Sequence, residues 1–527
     1  MEAVLRVAPD ARKAAPPEAK YHLVRPRALR PWAVQWYRSC ENLSELVIYL
    51  MVLFGPWAFG TTQPWSIWTM NIAGYLLGGL LVVKFSLRHF AGYSALRWEN
   101  NERAILRTPA GAHFFNSQRL TTVLGSLTAA LLAYCLVSAL NARATFQESS
   151  LTFDYHECVR WLPHSLDSTG TWSVFWLYLG LACSFWAVRD WLLGRSSGEE
   201  RALWQRPNSG SFAAAPPLPE RLRRLLWLLA INGALLALEG MIQRAEQSPK
   251  LLFLVQPRIH QTAESQFGPY AYRSNAAQYF NLIWPVCVGF WWTLNRNSRR
   301  RRSHHWLLVL AAIIAACPII STSRGGALVT GAMVVAAAFF LAVTQFVLRA
   351  NRQENRAKRI TTLGLLALFF AGALTLGFSL GWKALKPRLA ALNDGLAGRE
   401  ELYEAAGPMA EDYPWFGTGP GTFETVSQLY PRPDIYWPAQ LHNDWLETRI
   451  TFGWVGSSLI GLASLVVLLR WFVRGGIHGG RRFVMLIWLA LSGCLAHAVF
   501  DFPFQIHSVL FLVTVLSAVL FTVSRRP

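Results

Sequence analysis

The sequence predicts an all-α polytopic membrane protein of about twelve transmembrane helices, with one long loop of short helices between the ninth and tenth. Three observations predict it. Of 527 residues, 53% are hydrophobic and only 15% charged, where a soluble domain carries about 25% charged residues. The apolar residues come in unbroken blocks rather than amphipathic stripes, as lipid-facing helices do. There are also 24 Trp residues, a side chain that favours the headgroup interface. A large soluble helical protein is a poor alternative, because about a dozen blocks of bilayer length do not fit one soluble core.

Residues 1–42 read as a polar cytoplasmic tail. They hold no short apolar core followed by a small-residue cleavage site, so no cleavable signal peptide is expected and the first span acts as its own insertion signal. The expected spans are 43–60, 65–87, 120–140, 171–188, 223–243, 276–294, 306–322, 326–347 and 361–381, then 452–473, 483–500 and 506–523. Each is near the ~20 residues that cross a hydrocarbon core. Residues 382–451 read as one long outer loop, and 452–527 as the last three spans with a short cytoplasmic tail.

Lysine and arginine counts test this threading. With both termini in the cytoplasm, 36 of the 50 Lys and Arg fall on the inside, counting Arg223, Arg224 and Arg470 at the inner ends of their spans, and 13 on the outside; Lys84 lies within the second span. The short inside loops at 296–302 and 349–359 are the basic ones, which is the positive-inside pattern. The net charge of +20 is therefore an orientation signal, and nucleic acid is not an expected partner. Residues 194–222 read as a flexible inside linker. The seven cysteines show neither metal-ligand spacing nor two in one loop, so neither a disulfide framework nor structural zinc is expected.

The chemistry-bearing residues fall on the outer side. Ser321, Thr322, Ser323, Arg324, Gly325 and Gly326 split an apolar stretch into two spans. An Arg at an outer boundary is costly unless it binds something, pairs or snorkels, and ligand contact and anchoring both stand for Arg324. The 382–451 loop holds ten acidic residues against six basic, and a seventy-residue connection is more often functional or a subdomain. Within it, 398–406 (GREELYEAA) reads as a helix with Arg399, Leu402, Tyr403 and Ala406 on one face. Residues 412–423 (DYPWFGTGPGTF) read as a turn-rich element that docks the loop, and a phosphate-binding P-loop is rejected because no strand or Lys-Ser/Thr accompanies the glycines.

His442 opens a helix that runs into the tenth span, sharing a face with Leu446 and Arg449. It is a candidate base, a candidate metal ligand with distant His497 or His507, or a structural histidine. Asp501 either orients His442, pairs with an Arg or is structural. Arg273 and Asn275, in 267–275 (FGPYAYRSN), either reach the same outer face as Arg324 or anchor the loop at the interface. The grouping matters more than any one residue. Arg forks suit phosphate, and His, with an unperturbed pKa of about 6.5, suits proton removal near neutrality. Together they point to a polyprenyl-phosphate substrate held in the outer leaflet.

Taken in order, FGPYAYRSNAAQYFNLIWP (267–285), STSRGGAL (321–328), GREELYEAA (398–406), DYPWFGTGPGTF (412–423), HNDWLETRITFGWVG (442–456) and HAVFDFPFQI (497–506) resemble the O-antigen ligase and polymerase superfamily of bacterial envelope glycosyltransferases. The resemblance covers roughly 265–510; upstream only the hydropathy fits. It implies a GT-C fold in the bacterial inner membrane, acting at the periplasmic face on glycans linked to undecaprenyl pyrophosphate, with no nucleotide sugar, cofactor or divalent metal. It further implies that Arg324 and Arg399 bind the pyrophosphate and that His442 is the general base. The acceptor stays open among lipid A core, another lipid-linked glycan and a protein hydroxyl. Many relatives carry His directly after the Asn before the sixth span; here Ala276 follows Asn275. Trp415, Tyr436 and Trp437 either stack on sugar rings or pack on the membrane face. Two other classes stand beside the transferase. A flippase of lipid-linked glycans should carry charges deep in several spans and internal repeats. A scaffold for envelope synthesis would use the loop for docking.

Overall fold

The computed structural model describes residues 31–93, 97, 117–204, 218–297, 303–346, 356–430, 439–473 and 480–523. In chain order they form α1 (Pro31–Trp57), α2 (Pro64–His89), α3 (Ser117–Leu140), a hairpin of β1 (Ala144–Gln147) and β2 (Thr152–Tyr155), α4 (Ser168–Leu193), α5 (Ser197–Trp204) and α6 (Glu220–Ala245). Next come α7 (Arg273–Asn297), α8 (Trp306–Ile320), α9 (Arg324–Phe346), α10 (Arg356–Gly377), α11 (Lys383–Ala390), α12 (Leu392–Asp412) and α13 (Phe423–Ser427). The chain closes with α14 (Asp444–Val473), α15 (Arg481–His497) and α16 (His507–Val523).

Every expected span falls on a helix. Among the described residues, 7 helices are long and apolar enough to cross a membrane, and α8, α15 and α16 are shorter apolar helices. The remaining two, α1 and α7, are 27 and 25 residues long but less apolar, because they turn polar groups inward. Glu41 and Ser44 of α1 are buried, as are Ser274, Asn275, Gln278, Asn281 and Thr293 of α7. The protein is a helical, multi-pass membrane protein. α7 lies at its centre, with Phe280, Trp284, Phe290 and Trp291 almost fully enclosed. Where α2 meets α4 the backbones touch: a Cβ on Gly74 would stand 2.6 Å from the Gly180 carbonyl oxygen. Small residues that let two backbones approach are the usual basis of close packing in lipid.

Three local features differ from the expectations. The first helix begins at Pro31, not 43, because Ala33, Tyr37 and Cys40 extend its buried face. The outer loop 141–170 departs from the all-α reading: it contains the antiparallel hairpin, in which Phe146 faces Phe153 with ring centroids 5.1 Å apart. Strands of four residues leave too little alternation to be read from the sequence. Within the linker expected at 194–222, residues 197–204 are α5; residues 205–217 lie outside the described ones. The cause is a capping box: the Glu199 amide donates to Ser196 Oγ at 3.2 Å, and the Ser196 amide donates to Glu199 Oε2 at 3.0 Å. All seven cysteines are free.

At the end of the bundle away from the long loop, Lys84 is 0% exposed and pairs with Glu41 at 3.1 Å and Asp190 at 3.0 Å. Arg88 and Arg97 join Asp190, and Arg221 joins Glu41. α1, α2, α4 and α6 are thus clamped by buried charges that would be costly alone.

Among the described residues, the 382–451 loop contains α11, α12, α13 and the first turns of α14. Ala406 and Met409 of α12 pack on Phe423, Leu441 and Ile450 in a small core of their own. The glycine-rich stretch, expected to dock the loop on the membrane face, docks against a break in α14 at Gly453, where φ is +58°. Thr418 and Gly419 amides donate to the Ile450 and Thr451 carbonyls at 2.9 and 3.0 Å, and Trp454 and Val455 amides return bonds to Pro414 and Trp415 at 2.9 and 3.1 Å. Gly453 must be glycine twice over: its φ is left-handed, and a Cβ would stand 2.4 Å from the Trp415 carbonyl oxygen.

Candidate active site

Four chain segments are brought to one face of the bundle: the 321–325 turn, the start of α7, and the two stretches around His442 and Asp501. Each is held by its own local bonding. Ser323 caps α9, its hydroxyl accepting the Gly326 amide at 3.0 Å, so Arg324 stands in the first helical turn. Asn443 caps α14, its side-chain oxygen accepting the Leu446 amide at 3.1 Å, while Glu447 reaches back to the Leu441 amide at 2.9 Å. His442 therefore precedes the helix rather than sharing its face with Leu446 and Arg449. Its φ is +59°, a strained value for a residue with a Cβ. Tyr403 of α12 holds it there by donating its hydroxyl to the His442 carbonyl at 2.8 Å.

The His442 side chain is 28% exposed and Asp501 only 5%. Nδ1 of His442 lies 3.4 Å from Oδ1 of Asp501, which leaves Nε2 as the ring nitrogen not engaged by this carboxylate. His442 packs on Phe502 with centroids 4.8 Å apart and meets Tyr272 edge-on at 6.1 Å. Asp501 does more than touch His442. Its other oxygen accepts the Ser274 hydroxyl, and His497 Nε2 lies 3.6 Å away. His497 in turn meets Gln278 at 2.6 Å, and Ser323 donates to Ser274 at 3.2 Å. A continuous chain of polar groups thus runs from His442 through Asp501 and Ser274 to the cap beneath Arg324. Burial opposes the Asp501 charge, but hydrogen bonds from His442 and His497 outweigh it and hold the carboxyl well below the usual carboxylate range.

The arginines surround this chain. Arg324 donates to the Ala391 carbonyl at 2.8 Å and Arg399 to the Phe500 carbonyl at 2.6 Å. Arg273 donates to the Glu264 carbonyl at 2.7 Å. Tyr272, between them, has its phenol pushed up by burial and by Asp501, and pulled back by Arg399 and Arg324. Tyr403 is pushed up by burial, with Arg399 opposing. Asn275 is buried in the first turn of α7, its amide donating to the Tyr272 carbonyl at 3.1 Å; the residue of that turn that meets Asp501 is Ser274. Trp415 is exposed, and Tyr436 and Trp437 lie outside the described residues.

Sequence reasoning passed over Ser274, Ser323 and His260. His260 stacks on Tyr272 at 5.2 Å, and burial together with nearby His442 pushes its pKa down. Serines carry no signal of their own; only their places next to Arg273 and Arg324 could have marked them. Among the described residues, no three His, Cys, Asp or Glu side chains are grouped to hold a metal ion.

A family model described as O-Antigen ligase matches residues 307–461. Residues 307–461 are thus similar to the O-antigen ligase family. This match supports the resemblance read from the motifs, and glycan transfer of the ligase or polymerase type is the activity that goes with it. It spans α8 to the upper part of α14 and includes Arg324, Arg399, Tyr403 and His442. Arg273, Asn275, Ser274 and Asp501 lie outside it, so the polar chain joins the matched region to α7 and to the end of α15. No curated protein matches the chain.

Proposed function

We propose that the protein transfers a glycan from undecaprenyl pyrophosphate to an acceptor hydroxyl at the periplasmic face of the bacterial inner membrane, within a twelve-span GT-C-like fold with both termini cytoplasmic. The observation that carries this reading is the pairing of His442 with buried Asp501 on a face that also holds Arg324 and Arg399. Asp501 accepts from Nδ1 and fixes the tautomer whose Nε2 holds a lone pair. Nε2 takes the acceptor hydroxyl proton as the acceptor oxygen attacks the anomeric carbon. The bond from that carbon to the pyrophosphate oxygen breaks, and its electron pair departs on the lipid pyrophosphate. Arg324 and Arg399 stabilise this charge with planar, two-pronged donors, Arg273 adds to the field, and Tyr403 and Asn275 support the surrounding backbone. One displacement inverts the anomeric centre and needs no nucleophilic carboxylate. Lipid A core, a growing polysaccharide and a protein hydroxyl are the acceptor classes that fit.

The test is reconstitution in vesicles with a lipid-linked glycan and each acceptor class. Glycan appearing on an acceptor, with release of undecaprenyl pyrophosphate, is the expected result. Movement of intact lipid-linked glycan across the bilayer without transfer would replace this reading with a flippase.

A further inference from the structure

Arg244 closes α6 on the face that carries Arg324 and lies outside every motif that marked the site. It is 8% exposed. One of its terminal nitrogens donates to the carbonyls of Gln266 at 3.0 Å and Ser321 at 3.2 Å, with Glu264 at 3.5 Å. The other terminal nitrogen and Nε are enclosed and have no hydrogen-bond partner. No carboxylate pairs with Arg244 among the described residues. Glu264 attracts it from an exposed loop, and Arg388 is near enough to repel it.

The surroundings repeat the pattern. Arg388 of α11 also has its Nε buried without a partner. It lies three residues before Ala391, whose carbonyl Arg324 holds. Thr322, next to Ser321, is 1% exposed with an unpartnered hydroxyl and a φ of +62°. Arg273 reaches the same Glu264 carbonyl as Arg244. A snorkelling arginine would send its charge outward to headgroups; Arg244 instead turns inward to the turn at 321–324. A guanidinium enclosed beside another, with two N–H-bearing nitrogens unmatched, is a costly arrangement that an anion would relieve.

We propose that Arg244 and Arg388 form an inner anion subsite behind the 321–324 turn, which takes a phosphate group of the lipid-linked donor with the Thr322 hydroxyl as a further donor. This rests on the reading that the face binds a lipid pyrophosphate. The N–H groups are enclosed, so phosphate reaches them as the two long side chains swing away from the turn. Arg324 and Arg399 then hold one part of the pyrophosphate and the inner pair the other, which gives a doubly charged leaving group more than one bidentate partner.

The probe is inorganic pyrophosphate, with binding to the full-length protein in lipid nanodiscs followed by calorimetry and thermal unfolding. R244Q and R388Q should each weaken binding roughly 10-fold, the worth of a lost charge-assisted hydrogen bond, and R244K should recover part of it. With lipid-linked donor, the same variants should raise KM more than they lower kcat. R388Q keeps the test open if R244Q fails to fold. Wild-type affinity in both Gln variants, with binding lost only in R324Q, overturns the inner subsite and makes Arg244 a brace for the turn. No pyrophosphate binding by the wild-type protein overturns the donor reading itself.

Discussion

Nδ1 of His442 stands 3.4 Å from Oδ1 of Asp501, across a gap of 59 residues in the chain. One partner comes from the long loop and the other from the end of α15, so the pair exists only when the loop is docked. Asp501→Asn keeps the shape but removes the charge and turns one of the two acceptor oxygens into a donor, so the imidazole tautomer is no longer fixed. Transfer should fall steeply, approaching the roughly 10²–10⁴-fold that a general base supplies, while donor binding persists. Activity assays with donor titration would check both halves of this expectation.

The same carboxyl predicts a pH effect of defined sign. Its folded pKa is held below the unfolded value by His442 and His497, against burial. Its stabilising contribution is therefore fully present above the unfolded value of about 3.9 and is lost as pH falls through the lower, folded value. Unfolding of the wild-type protein and of Asp501→Asn should respond alike between pH 5 and 8. Below about pH 4 the wild type alone should show the extra loss.

Docking of the loop predicts a second phenotype. Gly453→Ala places a Cβ 2.4 Å from the Trp415 carbonyl oxygen at a left-handed φ. The backbone strain alone costs about 1–3 kcal/mol. The helices should still insert, but residues 412–423 should become more open to limited proteolysis and transfer should drop with them.

The buried clamp at the other end acts on stability alone. Lys84→Met takes one partner from Glu41 and Asp190 in a dry site. Because Arg221, Arg88 and Arg97 still hold these carboxylates, the loss should stay below the ~3–5 kcal/mol of a fully unpaired buried charge. Lower unfolding temperature with unchanged KM for the donor is the expected signature.

How much of this was legible in the sequence follows from physical causes. Spans are set by long apolar runs, and among the described residues 7 helices are long and apolar enough to cross a membrane; Gly with Pro marked the docking element of 412–423. Arg324 and Asp501 stood out because ionisable groups near a membrane are costly, whereas Arg399, by itself an ordinary surface residue, and His442, by itself most often structural, drew their expected roles from the family resemblance. Ser274 and Ser323 did not, since a serine is cheap anywhere and its bonds depend on which helices meet. The hairpin at 144–155 was too short for its alternation to register. Arg244 looked like one more basic residue at a helix end; its burial depends on Gln266 and Ser321, distant in sequence. His442 was expected on the helix face, but the Asn443 cap places it outside, where its strained backbone and Tyr403 aim the ring.

The most direct test of the account is the transfer rate of His442→Ala in vesicles supplied with lipid-linked glycan and acceptor. The account predicts a loss of roughly 10²–10⁴-fold with correct insertion, retained pyrophosphate binding and accumulation of lipid-linked glycan. Full transfer activity in that variant would contradict it.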